Sequence, residues 1–331
     1  MEGWKLNSGE LIENNLTEQE IWQYFNFLFS SKSKNQASYK FGFIRSLLEN
    51  IYNTNESSQL TYSQIFFTFT RVYWNLVVVN GLKQTDQSHE QSAIEKALKQ
   101  FVEQNRIPDY LSFDSLSPGL QLEIGVILRR QGKRYVVGAL YGDTDGAFYS
   151  FDNRSEVLEL SRNVLRFMKV HQQVLVKLNN YELVKFIQAV NPHDGCSNLL
   201  KKVENITARS NLNMYREILE LTESMECFYC ERKLTEKTAI HVDHFIPWSF
   251  LFNDNLWNFV LSCGSCNTSK NNKLSEVKFL DKLINRNEIL AQKNVIDVEK
   301  EFINYSSEKI IELFNYASIN GFQKNWKPKI K

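Results

Sequence analysis

Four of the five cysteines fall in two Cys-x-x-Cys pairs, Cys227/Cys230 and Cys263/Cys266, with about 32 residues between the pairs. Each pair offers two thiolates from one tight turn. Two such pairs complete the tetrahedral sulfur set of a closed, structural Zn2+ site. Between them runs Ile240-His241-Val242-Asp243-His244-Phe245-Ile246, and Asn267 directly follows the last cysteine. An Asp carboxylate and an Asn carbonyl oxygen are hard donors that suit Mg2+ or Mn2+. A neutral imidazole beside them can take a proton from water, and the divalent ion can stabilise the leaving oxygen of a phosphodiester. Cys196 stands outside both pairs and has no assigned role.

Short elements must position these groups. The alternation of polar and apolar, partly β-branched residues over 240–246 predicts a strand. It places His241 and Asp243 on one face and His244 on the other, unless the strand ends at His244, as Pro247 indicates. The second zinc knuckle leads into a helix that holds Asn267 and, one turn on, Lys270, a candidate phosphate contact. Phe245, Trp248, Phe250, Trp257 and Phe259 surround the segment. Base stacking is open to them, but packing of a small module against neighbouring helices is the favoured reading.

The remaining 280 or so residues frame this segment. The chain has 331 residues, 39 Lys and Arg against 38 Asp and Glu, 43% hydrophobic and 13% aromatic residues. At about 150 residues per domain that is roughly two folded domains. The near-neutral balance excludes a uniformly basic nucleic-acid coat but not a local basic surface. The segment from Asn267 onward holds about four more basic than acidic residues. No apolar run approaches the roughly 18 residues of a membrane span. The start, MEGWKLNSGE, shows no secretory pattern. A reducing, cytoplasmic setting follows as the expectation, in which paired cysteines bind metal.

The fold class expected is α+β, mostly helical. Thr17 and Glu20 fit a capping box opening a helix near WQYFNFLF, and Ser88 and Gln91 fit a second. Ile44, Leu47, Leu48 and Ile51, then Ile94, Ala97, Leu98, Phe101 and Val102, recur at helical spacing. The stretch RYVVGALYGDTDGAFYSFD predicts a β-hairpin near 134–152, turning at Asp145-Gly146. The acidic turn 143–146 lacks the ligands of a calcium loop. Arg129, Arg130, Lys133 and Arg134 cluster beside that hairpin as candidate phosphate contacts. Helix is expected again from about 155 to 222, with a stop at Pro192, and after Ser275. The division expected is a mainly helical domain over 1–195 for recognition, regulation or dimerisation. A helical connection over 196–222, the zinc-knuckle module over 223–275 and packing helices over 276–331 follow.

With these residues in view, the segment 227–273 resembles an HNH, or ββα-metal, nuclease module. The elements that carry the likeness are Asp243-His244 at the end of a strand, Asn258 in the middle and Asn267 on the helix. The knuckles are similar to those of the phage recombination endonuclease VII family. The register from Asp243-His244 through Pro247, Asn258 and Asn267 to Lys270 is similar to the HNH domain of CRISPR effector nucleases. The likeness covers roughly 50 residues. It implies that His244 is the general base, that Asp243 and Asn267 hold one divalent metal, and that Asn258 tethers the loop orienting His244. It implies activity that falls at acid pH, because the base must be neutral. His241 either assists at the metal or substrate or supports the strand.

Three functions compete. The first is a metal-dependent DNA endonuclease in restriction or anti-phage defence, acting as a homodimer or with a partner protein of a defence system. The second is a nuclease resolving branched DNA. The third is a non-catalytic, zinc-stabilised DNA-binding protein, which has no need of Asp243, His244 and Asn267.

Overall fold

In the computed structural model the chain divides into two compact units, Met1–Ala208 and Arg209–Lys331. The structure describes residues 6–12, 15–33, 35–85, 91–192, 199–204, 212–235, 240–292, 298, 301–303 and 305–329. Cys196 and Ser88 lie outside the described residues. Both units are mostly helical, with small antiparallel sheets. Among the described residues no helix is long and apolar enough to cross a membrane.

In the first unit, α1 (Glu18–Leu28) opens with the Thr17/Glu20 capping box, the Thr17 amide bonding Glu20 Oε2 at 2.8 Å. Helix α2 (Tyr39–Asn50) and the turn after it bury Ile44, Leu47, Leu48 and Ile51. They pack against α3 (Tyr62–Tyr73) and the 29-residue α7 (Arg162–Val190), which stops just before Pro192. Helix α4 (Ala93–Gln104) buries Ile94, Leu98 and Phe101. Its capping box is Ser92/Glu95.

Four strands, β1 (Ser8–Gly9), β2 (Gln59–Thr61), β3 (Tyr149–Asp152) and β4 (Val157–Leu160), form an antiparallel sheet in the order β1-β3-β4-β2. The hairpin is therefore β3–β4, turning at 153–156, and residues 134–148 are not its first arm. Helix α5 (Pro118–Gly132) runs through a π-helical turn, Lys133–Val137, into α6 (Gly138–Asp143). The apolar residues Val136, Val137, Leu140 and Tyr141 are all buried, and their spacing of one, three and one is helical rather than alternating. The Tyr149 hydroxyl donates to the Val137 carbonyl at 2.6 Å, satisfying a carbonyl of the π turn. Asp145 and Gly146 do form a turn, both at positive φ, but it joins α6 to β3. Residues 157–160, expected within a helix, are β4, because Leu158 and Leu160 alternate with the exposed Glu159.

In the second unit, α9 (Asn213–Thr222) precedes the first knuckle. Strands β5 (Ile240–His244) and β6 (Phe259–Cys263) pair antiparallel, with His244 opposite Phe259 and Asp243 opposite Val260. The short α10 (Trp248–Leu251) lies between them in sequence, and α11 (Gly264–Lys270) follows β6 directly and packs on both strands. Helices α12 (Val277–Ala291) and α13 (Ser307–Ile319) complete the unit, α13 burying Ile310, Leu313, Phe314 and Ala317. Arg286 on α12 reaches the Phe259 carbonyl at 2.7 Å, and Asn287 reaches that of Trp257 at 2.8 Å. Phe245, Phe250, Trp257 and Phe259 are buried in this unit, so packing accounts for them.

Candidate active site

The four paired cysteines converge. Their Sγ atoms all lie within 4.8 Å of one another, and Cys230 and Cys263 are 3.8 Å apart. Sulfurs bound to one tetrahedral zinc at 2.3 Å stand about 3.8 Å from each other, so the donor set fits that ion. The first knuckle closes by hydrogen bonds from the Glu231 amide to the Cys227 carbonyl and from the Cys227 amide to the Arg232 carbonyl, both 2.8 Å. The turn needs Glu231 at φ +59°. The Phe228 amide joins it to β6 through the Leu261 carbonyl. Burial pushes the Cys227 and Cys266 thiols up. Burial also raises Cys263, but hydrogen bonds from Ser265 and the Cys266 amide outweigh it and bring that thiol down to about 6. A divalent cation bound at the centre would supply the charge that lets all four ionise together.

Beside this cluster β5 presents Asp243 and His244. Asp243 is only 6% exposed. Its Oδ2 accepts from the Tyr229 hydroxyl at 2.6 Å and pairs with Lys270 Nζ at 3.0 Å. Burial first, then the Asp243 charge, pushes the Tyr229 phenol well above its ordinary range, so it remains a donor. Lys270 also donates to the His244 carbonyl at 2.7 Å and is 0% exposed. A direct phosphate contact therefore gives way to a buried charge partner for Asp243. Among the described residues both of these contacts fall on Oδ2 and none on Oδ1.

His244 ends β5. Its ring packs edge-on to Phe259 at 4.6 Å, which in turn meets Tyr215 of α9 at 4.7 Å. His244 Nε2 lies 2.7 Å from Asp254 Oδ1. An ionised carboxylate only accepts hydrogen bonds, so in the neutral tautomer compatible with this contact the proton is on Nε2 and Nδ1 carries none. Asp254 is a partner of His244 that the sequence did not single out. Its signal was weak: an acidic residue ten positions after the histidine.

Asn258 is fully buried and clamps the chain after His244 from both sides. Its Oδ1 accepts from the Ile246 amide and its Nδ2 donates to the Ile246 carbonyl, each at 2.9 Å. Its own carbonyl accepts from the Phe245 amide at 2.8 Å. Asn267 is half-buried in α11, and among the described residues nothing bonds its side chain. His241 lies opposite Ser262, with its Nε2 against Gly264 at the start of α11. Any Cβ at Gly264 would come within 3.3 Å of it. The basic cluster belongs to the first unit. There Arg129 and Lys133 both pair with Glu156, at 3.2 and 2.6 Å, and Arg134 lies over the Tyr135 ring at 5.5 Å. Arg130 is exposed.

A four-sulfur cluster thus braces an antiparallel strand pair and a short helix, with a carboxylate-held histidine at the strand end. Residues 227–275 match the family model described as HNH endonuclease. The match and the four-cysteine cluster fit an HNH family, and they support nuclease activity in general and metal binding with it. No curated protein and no solved structure matches the chain.

Proposed function

We propose that this protein is a metal-dependent endonuclease that hydrolyses DNA phosphodiester bonds, with His244 as general base. The observation that carries the reading is the His244 Nε2–Asp254 bond of 2.7 Å inside the HNH match, because it leaves Nδ1 as the basic atom. Nδ1 takes a proton from the attacking water, and Asp254 stabilises the imidazolium that results. Asn258 holds Ile246 and with it the backbone on which the ring is mounted. Asp243 and Asn267 are the proposed donors to one Mg2+ or Mn2+ ion, their carboxylate and amide oxygens being of the hard type those ions prefer. When bound, that ion supplies Lewis-acid stabilisation of the leaving oxygen. The four cysteines hold zinc as scaffold. Restriction or anti-phage defence is the proposed setting, by analogy with other HNH modules joined to helical domains.

The test is a cleavage panel of linear, nicked, branched and modified DNA with Mg2+ or Mn2+, and with chelator. Metal-dependent cutting of linear or modified duplex is expected. Cutting confined to branched DNA would make the protein a junction-resolving nuclease. Binding with no cutting of any substrate would make it a non-catalytic zinc-stabilised module.

Asp254→Ala removes the carboxylate and lets the imidazole rotate. Misplacing a reacting group by about 1 Å costs about 10²-fold in rate, so kcat should drop by that order while KM for DNA stays close to the parent. A variant cutting at the parental rate would remove Asp254 from the site's chemistry.

A further inference from the structure

The two groups that hold Asp243 both come from the zinc knuckles. Tyr229 sits inside the first knuckle, one residue before Cys230. Lys270 ends the short helix that begins with Cys263 and Cys266. Both converge on the same carboxylate oxygen, Oδ2. The Tyr229 ring has no freedom to point elsewhere: it is buried, with Trp326 edge-on at 5.0 Å, Phe279 at 5.5 Å and Phe228 at 5.2 Å. Trp326 is itself fixed in the C-terminal segment, whose backbone pairs with Leu274 and Glu276. A rigid phenol at the end of a metal-clamped turn is an anchor of set length and direction.

We infer that Tyr229 is a positioning residue for the divalent metal of the proposed reaction: by binding Oδ2 it turns Asp243 so that Oδ1 faces the ion. The inference rests on the nuclease reading above. It makes the zinc knuckle part of the catalytic metal's own surroundings, not only a clasp that keeps the module folded. Hydrogen-bond partners of metal-ligating carboxylates commonly set affinity, and removing one costs about 10- to 100-fold in metal affinity or activity. Lys270 supplies charge to the same oxygen but shares its donors with the His244 carbonyl, whereas the phenol gives its single proton to Oδ2.

The test is Tyr229→Phe, which removes one oxygen and keeps the ring among Trp326, Phe279 and Phe228. Mn2+ binding is measured directly by calorimetry on the zinc-loaded full chain, in the His244→Ala background so that DNA chemistry plays no part. Zinc content and the thermal transition are measured on the same samples. The expected result is Mn2+ affinity weaker by about 10- to 100-fold, with zinc content unchanged. In the otherwise unaltered protein, Tyr229→Phe should raise the Mg2+ concentration needed for half-maximal cleavage by a similar factor, leaving KM for DNA within about twofold. Parental Mn2+ affinity in Tyr229→Phe overturns the inference and leaves the nuclease reading standing. Loss of zinc together with Mn2+ affinity overturns it too, making Tyr229 a packing residue of the knuckle. A Tyr229-containing chain that binds no Mn2+ overturns both.

Discussion

His244→Ala is expected to lower DNA cleavage by about 10²- to 10⁴-fold, the range a positioned general base contributes, while DNA binding, zinc content and fold persist. The side chain is buried against Phe259 but contributes no backbone bond: the Lys270 contact is to the His244 carbonyl, which alanine retains. Asp254 then loses its bond to the imidazole and keeps a side chain that is 15% exposed to water. The loss should fall on kcat, read from single-turnover cleavage with saturating metal. The intact protein should also slow as pH is lowered, since a protonated imidazole cannot accept the water's proton. A His244→Ala protein that cuts as the parent does, or a parental rate flat across the acid side, would sink the base assignment.

Cys263→Ser is expected to act on the other arm of the site. It removes one of four sulfurs that lie within 4.8 Å of one another. Structural zinc binding in small modules is worth about 10–16 kcal/mol and is inseparable from their folding. Cys263 also ends β6 and caps the start of α11, so its loss frees the strand pair, Asn267 and Lys270 together. Metal analysis should show zinc reduced to a small fraction of one per chain. Proteolysis should open the 227–275 segment, while helical signal from the first unit remains. Cleavage should vanish along with the fold, in contrast to His244→Ala. A parent protein purified without zinc would end the knuckle reading.

Local signals were legible where a few neighbouring residues settle the outcome. The Thr17/Glu20 capping box formed because its bonds span three residues. The Cys-x-x-Cys pairs were legible for the same reason, each being one turn of chain. Where several local solutions compete, packing chose. The run 134–148 holds β-branched and aromatic residues on either side of a good turn, yet a face at helical spacing buries Val136, Val137, Leu140 and Tyr141 together. Ser92 opens α4, bonded reciprocally with Glu95 three residues beyond it.

The catalytic candidates divide in the same way. Asp243, His244, Asn258 and Asn267 are identified by residue type and order along one short segment, since a strand, a knuckle and a helix in sequence bring few alternatives. Their partners are not. Tyr229 to Asp243 and Asp254 to His244 are contacts across 14 and 10 residues, and Lys270 reaches back 26 residues to His244 and 27 to Asp243. No periodicity marks such pairs, because each depends on how a loop closes. Lys270 shows the difference most plainly. As a residue of a basic, hydrophilic helix end it reads as a surface phosphate ligand. Packing of α11 on β5 instead buries it, and a buried ammonium persists only beside a counter-charge. That counter-charge is Asp243. Chain order thus selects the candidate residues, and tertiary closure selects which of their atoms are already engaged: Nε2 of His244 by Asp254, and Oδ2 of Asp243 by Tyr229 and Lys270.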